Sequence, residues 1–342
     1  LNQSTKNSQP NHGVSRKKKK SRKVLLIKRI VLVAFLMLAV VSGHVAARIN
    51  HSMEEVLNLV ERDPATDLST VEVDSDNLVS DDKIINILLI GSDKRGSWKE
   101  TGRSDSVMIA TLDNKNKRIK LTSIMRDLYI TIPSYGENRF NAAYSFGGVS
   151  LVYQTIADNF DLKLDGYVVV DFEAFKKVIN IIGGVEIELT DAEQEYLVTH
   201  YKSGTVHELV PGVNNMDGNQ ALAYSRIRQD AKADFGRTER QRKVLAAIFK
   251  KAKSMPLSDL VELAKEIVQN VSTDLTNDEI ISYMKSVLLL GTTELDQMRI
   301  PVDNSFRNER IGGKAVLVPD PDLEENKRAL HDFIFLYNGS DR

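Results

Sequence analysis

The chain has 342 residues, 42% of them hydrophobic and 27% charged, with a formal net charge of −1. Those values exclude a chain that is disordered or collagen-like throughout. The absence of cysteine excludes disulfides, thiolate zinc sites, iron–sulfur clusters and cysteine nucleophiles together. The near-neutral total hides a division. Residues 1–29 carry ten Lys or Arg and no Asp or Glu, which leaves 36 basic against 47 acidic residues from position 30 onward.

The basic tail runs into residues 30–47, eighteen positions without a formally charged side chain. As a helix they span ~27 Å, close to the hydrocarbon thickness of a bilayer. Cations ahead of such a span predict a transmembrane anchor at 30–47, with 1–29 a cytoplasmic tail and everything after Arg48 outside. Val45-Ala46-Ala47 resembles a signal cleavage site, but the apolar stretch is long for a cleaved signal and favours a retained anchor. Beside this span the Lys17–Lys20 run reads as a topology signal rather than a nucleic-acid contact. Residues 48–62 suggest a short helix leaving the membrane, with Val56, Leu57, Leu59 and Val60 on its apolar side. The acid-rich stretch 63–83, which includes Pro64, reads as a linker. The segment 48–83 is therefore predicted to be an acidic stalk, and 84–342 an extracellular domain with a C-terminal helical extension.

In that domain, β-branched apolar runs predict strands at 84–90, 106–112, 119–125 and 128–132, bounded by turn residues such as Asp113-Asn114 and Pro133. A helix at 151–159, a strand at 167–171, a helix at 173–182 and a strand at 185–189 follow. Residues 237–254 form a long amphipathic pattern with Val244, Leu245, Ile248 and Phe249 on one stripe. Helices are expected at 257–271 and 276–290, the second opened by Thr276 and Glu279 at capping-box spacing. A strand at 297–302 and a helix at 323–337 close the chain. The interleaving predicts an α/β fold with a mixed central β-sheet covered by helices on both faces.

Two places carry chemistry. Asp93 ends one buried strand and Asp105 opens the next, so the two flank one strand–loop–strand connection. Two carboxylates at a strand edge suit a hard divalent cation such as Mg²⁺, although Asp is equally an ordinary turn residue. The second place holds Arg226, Arg228, Arg237, Arg240 and Arg242 within seventeen residues, with Arg126 a possible sixth member directly after a strand. Arg226 and Arg228 project to one side of an extended segment, and Arg237 and Arg240 share a helix face. Guanidinium forks bind phosphate oxygens in pairs, and a helix start adds donors for an anion. A surface lattice of salt bridges with Asp230, Asp234 and Glu239 is the alternative.

The stretches LLIGSD, GRSDSVMIATLD, LTSIMRDLYI, IGGVEIEL, PGVNNMDGNQALAYSRIR and DFGRTERQR, in order over roughly residues 84–255, resemble the LytR–CpsA–Psr family of Gram-positive bacteria. The resemblance implies a helix-sandwiched mixed sheet with a long apolar pocket for a polyprenyl chain. It implies transfer of a glycopolymer from polyprenyl diphosphate to the muramic-acid 6-hydroxyl of peptidoglycan, with Mg²⁺, or Mn²⁺ in its place, on Asp93 and Asp105. It assigns the diphosphate to Arg126, Arg226, Arg228, Arg237 and Arg240. Asp105 is then the candidate to assist deprotonation of the attacking hydroxyl. A polyprenyl-diphosphate pyrophosphatase would use the same residues, and a non-catalytic wall scaffold would keep the fold without needing them. A DNA-binding regulator fits poorly with an acidic body outside the membrane. No Gly-x-Ser-x-Gly elbow or paired histidines support a hydrolase.

Overall fold

The computed structural model describes residues 53–336, apart from 61, 63–65, 67, 74–76, 93–103, 202–203, 229–232 and 293, and apart from the side chains of 70, 105, 233 and 257. The anchor expected at 30–47 lies outside the described residues, among which no helix is long and apolar enough to cross a membrane.

Strands β1 (Ile84–Ser92), β2 (Ser104–Asp113) and β3 (Arg118–Ile124) form an antiparallel meander. A hairpin, β4 (Tyr129–Ile132) with β5 (Gly136–Arg139), leads into helix α1 (Ala142–Phe160). The expected helix at 151–159 is only its second half. Gly147 and Gly148 leave helical geometry, Gly148 with φ 63°, and the resulting kink breaks the periodic pattern. Then come β6 (Gly166–Asp171), α2 (Phe172–Ile181) and the ribbon of β7 (Val185–Leu189) with β8 (Gly212–Met216). Within that ribbon lies α3 (Asp191–His200), and after it α4 (Gly218–Tyr224). Gly218 is required there by a close approach, since a Cβ would lie 2.4 Å from the Lys176 carbonyl oxygen of α2.

The chain continues through α5 (Ala233–Lys253), α6 (Leu257–Ile267), the short strand β9 (Val271–Thr273) and α7 (Asn277–Leu290). The capping box of α7 is formed as expected, with Thr276 and Glu279 satisfying each other's backbone N–H groups. Strand β10 (Asp296–Ile300), the hairpin of β11 (Phe306–Ile311) with β12 (Lys314–Pro319), and α8 (Glu324–Phe335) complete the order.

The central sheet has six strands in the order β10-β3-β2-β1-β6-β9 and is mixed, as expected. β1 and β6 are parallel, as are β3 and β10, while β2 and β9 run against their neighbours. Strand alternation sorts the side chains. Ile84, Leu88 and Ile90 of β1, with Val107 and Ile109 of β2, are buried on one face in a cluster with α1 and with Leu330 and Ile334 of α8. There the buried Lys120 ammonium lies 2.7 Å from Asp113 Oδ2 and donates to the Ile334 carbonyl at 2.8 Å. Helix α8 is thus part of the sheet's cover, not an extension beyond it. The other face lies under α5, α6 and α7. A second core joins α2, β7, β8, α3, α4 and α6, with Tyr224, Ile179 and Leu197 fully enclosed.

The expected stalk is also part of the body where it is described. Met53, Val56, Leu57 and Leu68 are buried. Arg62 donates to the Leu275 carbonyl at 2.9 Å and to Asn277 Oδ1 at 2.7 Å. Composition suggested a linker because a few anchoring residues are enough to dock an otherwise polar segment. Leu59 departs from the apolar side assigned to it and is exposed.

Candidate functional site

Strands β10, β3, β1 and β6 all run the same way, so their carboxyl ends lie along one edge of the sheet. Open α/β sheets bind ligands at this edge, where loops vary above a rigid support. Arg126 follows β3 here, Phe172 follows β6, and β2 begins here at Ser104.

One carboxylate organises two of the expected arginines. Asp234, in the first turn of α5, places Oδ1 3.3 Å from Arg126 Nη2 and Oδ2 2.9 Å from Arg237 Nη2. Arg126 also lies 3.4 Å from Asp127, which itself holds Arg139 at 3.1 Å. Arg237 is 1% exposed, so this is not a solvated surface lattice. Beneath the pair, Ser104, Ser106, Ser123, Thr238 and Gln241 line a narrow cleft. The Oγ atoms of Ser104 and Ser123 and Oε1 of Gln241 are buried and make no hydrogen bond to the described residues. Polar groups buried in that way are uncommon and mark a place where another polar group fits.

Arg226 and Arg228 are exposed on either side of the buried Ile227, but Arg226 sits in a turn that continues α4, its N–H donating to the Ala223 carbonyl at 3.1 Å, and not in the extended segment expected. The Arg226 guanidinium lies 5.0 Å over the Phe172 ring, just past the register pair of Asp171 with Ser92. This puts Arg226 above the ends of β1 and β6. Both arginines face Tyr201, whose phenol is raised by burial while their charges pull it back. Tyr201, Asn219, Leu222 and Arg226 border a cavity of about 280 Å³.

Arg240 has a different occupation. Its Nε lies 2.7 Å from Glu193 Oε1, its Nη1 donates to the Ile227 carbonyl at 3.2 Å, and its guanidinium rests 5.9 Å from the Tyr224 ring centre. Glu193 simultaneously closes the capping box of α3. Three residues along a helix turn the side chain ~60° away, enough to send Arg237 to the cleft and Arg240 into the second core.

Asp93 lies outside the described residues. The backbone of Asp105 occupies β2 beside a register shift, where Gly91 pairs with Ser106 and Ser92 with Ser104. The donors available on these two segments, Ser92 and Asp93 with Ser104, Asp105 and Ser106, are all oxygens, a set that suits a hard cation such as Mg²⁺. Among the described residues no group of three or more His, Asp or Glu is placed to hold a metal.

An apolar cavity lies next to the cleft along the same strand and helix. On β2, Ser106 and Met108 line the cleft, whereas Ala110 and Leu112, further along the same face, line a cavity of about 460 Å³. Ile85, Ile87, Leu89 and Val168 complete its sheet side, and Phe249, Ala264, Met284 and Val287 its helix side. Val56 and Leu57 line it as well. Helix α5 makes the same transition, from Arg237 and Gln241 at the cleft to Phe249 and Ala252 at the cavity. Asp234, Thr238 and Gln241 were not assigned from the sequence. Their signal was the spacing 234, 237, 238, 241, a single stripe of a helix carrying polar residues where a core stripe would be apolar.

A family model described as LytR_cpsA_psr matches residues 46–332. The chain is 35% identical over 246 residues to a Bacillus mycoides (strain KBAB4) protein named polyisoprenyl-teichoic acid–peptidoglycan teichoic acid transferase TagU, covering 71% of this chain and 76% of that protein. It is 30% identical over 292 residues to an Enterococcus faecalis (strain ATCC 700802 / V583) protein of the same name, covering 82% and 88%. Among solved structures it is similar to a LytR-CPS2A-psr family protein, YwtF (TagT), with bound octaprenyl pyrophosphate lipid. That similarity has a TM-score of 0.59 and 25% identity, over 75% of this chain and 95% of the other. With the family model spanning most of its length, this chain belongs to the LytR–CpsA–Psr family.

Proposed function

We propose that this protein is a membrane-anchored phosphotransferase acting outside the cell. It moves a glycopolymer from polyprenyl diphosphate to the muramic-acid 6-hydroxyl of peptidoglycan, forming a phosphodiester and releasing polyprenyl phosphate. The observation that carries this reading is an arginine-bearing polar cleft set beside an apolar cavity of about 460 Å³ along β2 and α5. That arrangement matches an amphiphile with a charged head and a hydrocarbon tail. Enclosing a few isoprene units buries hundreds of Å², worth several kcal/mol at ~25 cal/mol per Å². The names of the relatives favour a teichoic acid as the polymer.

In this reading the cavity holds the lipid and so fixes the diphosphate at the cleft. Arg126 and Arg237, aligned by Asp234, neutralise charge that grows on the transferring phosphoryl and on the departing polyprenyl phosphate. Arg226, held over Phe172, and Arg228 approach from the opposite side of the strand ends. Asp93 and Asp105 would hold Mg²⁺, which supplies charge neutralisation at the diphosphate when bound. Asp105 would take the proton of the acceptor hydroxyl. Arg240, buried against Glu193, positions the start of α5 rather than the substrate.

The test is to incubate the full chain in detergent with polyprenyl-diphosphate glycopolymer and peptidoglycan oligomers, and to identify products by mass. A polymer–muramic acid phosphodiester with equimolar polyprenyl phosphate is expected. Polymer released only to water would make the protein a diphosphatase instead.

A further inference from the structure

Toward the edge strand β10, two more arginines meet that the reaction above does not employ. Arg299 is in register with Ser123 of the cleft. Its guanidinium lies 4.4 Å over the ring of Phe235 in the first turn of α5, with Nη1 3.7 Å from Met125 Sδ. Arg242 follows Gln241 and lies two turns beyond Phe235, so both project from the same side of α5. Burial first, and then the positive charge of Arg299, lowers the pKa of Arg242.

Their charge is poorly balanced among the described residues. Arg299 pairs with Asp303, a carboxylate 85% exposed and therefore well screened. Glu239 attracts Arg242 but stands 3.0 Å from Lys243. Nε and Nη1 of Arg242 are buried and make no hydrogen bond to the described residues. Leaving such charged donors unsatisfied is unfavourable, and arginine does not escape by losing its proton. An anion between the two side chains would relieve both the repulsion and the unsatisfied donors. The planar fork favours a group with two oxygens side by side.

We propose that Arg242 and Arg299 form a second anion site beside the diphosphate cleft, one that takes a phosphate group of the transferred polymer. The assignment to the polymer rests on the transferase reading; the anion site itself does not. Gln241 and Ser123 separate the two sites, so a phosphate in the polymer's linkage region can reach the second while the diphosphate occupies the first. The site would select donors whose polymer carries phosphate close to the lipid end.

The full chain in detergent, saturated with inorganic pyrophosphate, is titrated with inorganic phosphate by calorimetry. The wild type is expected to bind a further anion. Arg242→Gln and Arg299→Gln should each weaken that event tenfold or more, with pyrophosphate affinity and melting temperature kept. Arg242→Lys, which retains charge, should recover part of the loss and guards against a folding defect. No further anion on the wild type, undiminished binding in both variants, or an equal loss of pyrophosphate would overturn the site. Transfer assays then separate polymer phosphate from free phosphate. Arg242→Gln should lower kcat/KM for a phosphate-bearing donor and spare one whose sugars are neutral; an equal loss on both overturns the assignment to polymer. Failure of the wild type to transfer from either donor would sink the transferase reading and leave the calorimetric result standing.

Discussion

On one face of the six-stranded sheet, Ile84, Leu88 and Ile90 of β1 are buried against α1 and α8; on the other, Ile85, Ile87 and Leu89 of the same strand border an apolar cavity. The two sets are alike in chemistry and differ only in what stands opposite. The packed side receives large side chains such as Phe140, Phe160 and Tyr153. The hollow side faces Phe249, Tyr283 and Met284 as well as Ala252 and Ala264, and a cavity of about 460 Å³ remains between sheet and helices. Hydrophobic burial therefore does not distinguish a core from a binding cavity. Whether the covering helices close onto the sheet does.

The difference between the faces can be broken most severely at the Asp113–Lys120 pair. Asp113→Ala leaves the Lys120 ammonium buried without its carboxylate, and should cost ~3–5 kcal/mol in denaturant unfolding. Leu88→Ala on the packed face should cost ~2–5 kcal/mol, while Leu89→Ala, whose side chain already borders open space, should cost less than half as much. Equal losses would mean that the cavity closes in solution. At the polar end of the hollow face, Arg126→Lys keeps the charge and loses the fork. Losing ~1.5–3 kcal/mol of contact there lowers kcat/KM roughly 10- to 150-fold with unfolding unchanged. Unaltered kinetics would make Asp234 the whole purpose of Arg126. Filling the cavity by Ala264→Phe should weaken polyprenyl phosphate binding by about tenfold or more while the melting temperature holds or rises.

The smallest effect is on acid stability. Burial alone would raise the Asp113 carboxyl, but hydrogen bonds from Lys120 and Asn116 outweigh it and hold its pKa below the ordinary 3.8. A lowered folded-state value contributes stability above the unfolded pKa, and that contribution fades as pH falls through the folded one. Unfolding monitored below about pH 4 should show the loss in the wild type and a shallower slope in Asp113→Asn.

Strands rich in β-branched residues were legible from the sequence, Val185–Leu189 to the residue, as was the α7 cap at Thr276. Other elements lacked their signal. β9 has three residues, too few for alternation to register, and β11, with the sequence FRNERI, is largely polar because its hairpin is mostly exposed. The arginines were legible as a group but not in their separate occupations. Sequence spacing places Arg237 and Arg240 on one helix, whereas Glu193, 47 residues before Arg240, decides that the latter turns inward. The cavity was foreseeable from Ile119, Val168 and Phe249. Its remaining walls come from β1, β2, β9, α6 and α7, with Ile85, Leu260, Tyr283 and Met284 among them, and these look like ordinary core.

The hydrogen bond from Lys120 to the Ile334 carbonyl joins positions 214 apart in the chain. Strand β3 leaves the ribosome long before the helix that completes its cover, and β10, its edge partner, is also made late. Until those late segments exist, the packed face has α1 over it but lacks Leu330, Ile334 and the edge strand, and contacts of such long sequence separation close slowly. Synthesis order thus delays collapse. The final helix is therefore the latch that closes last on the sheet.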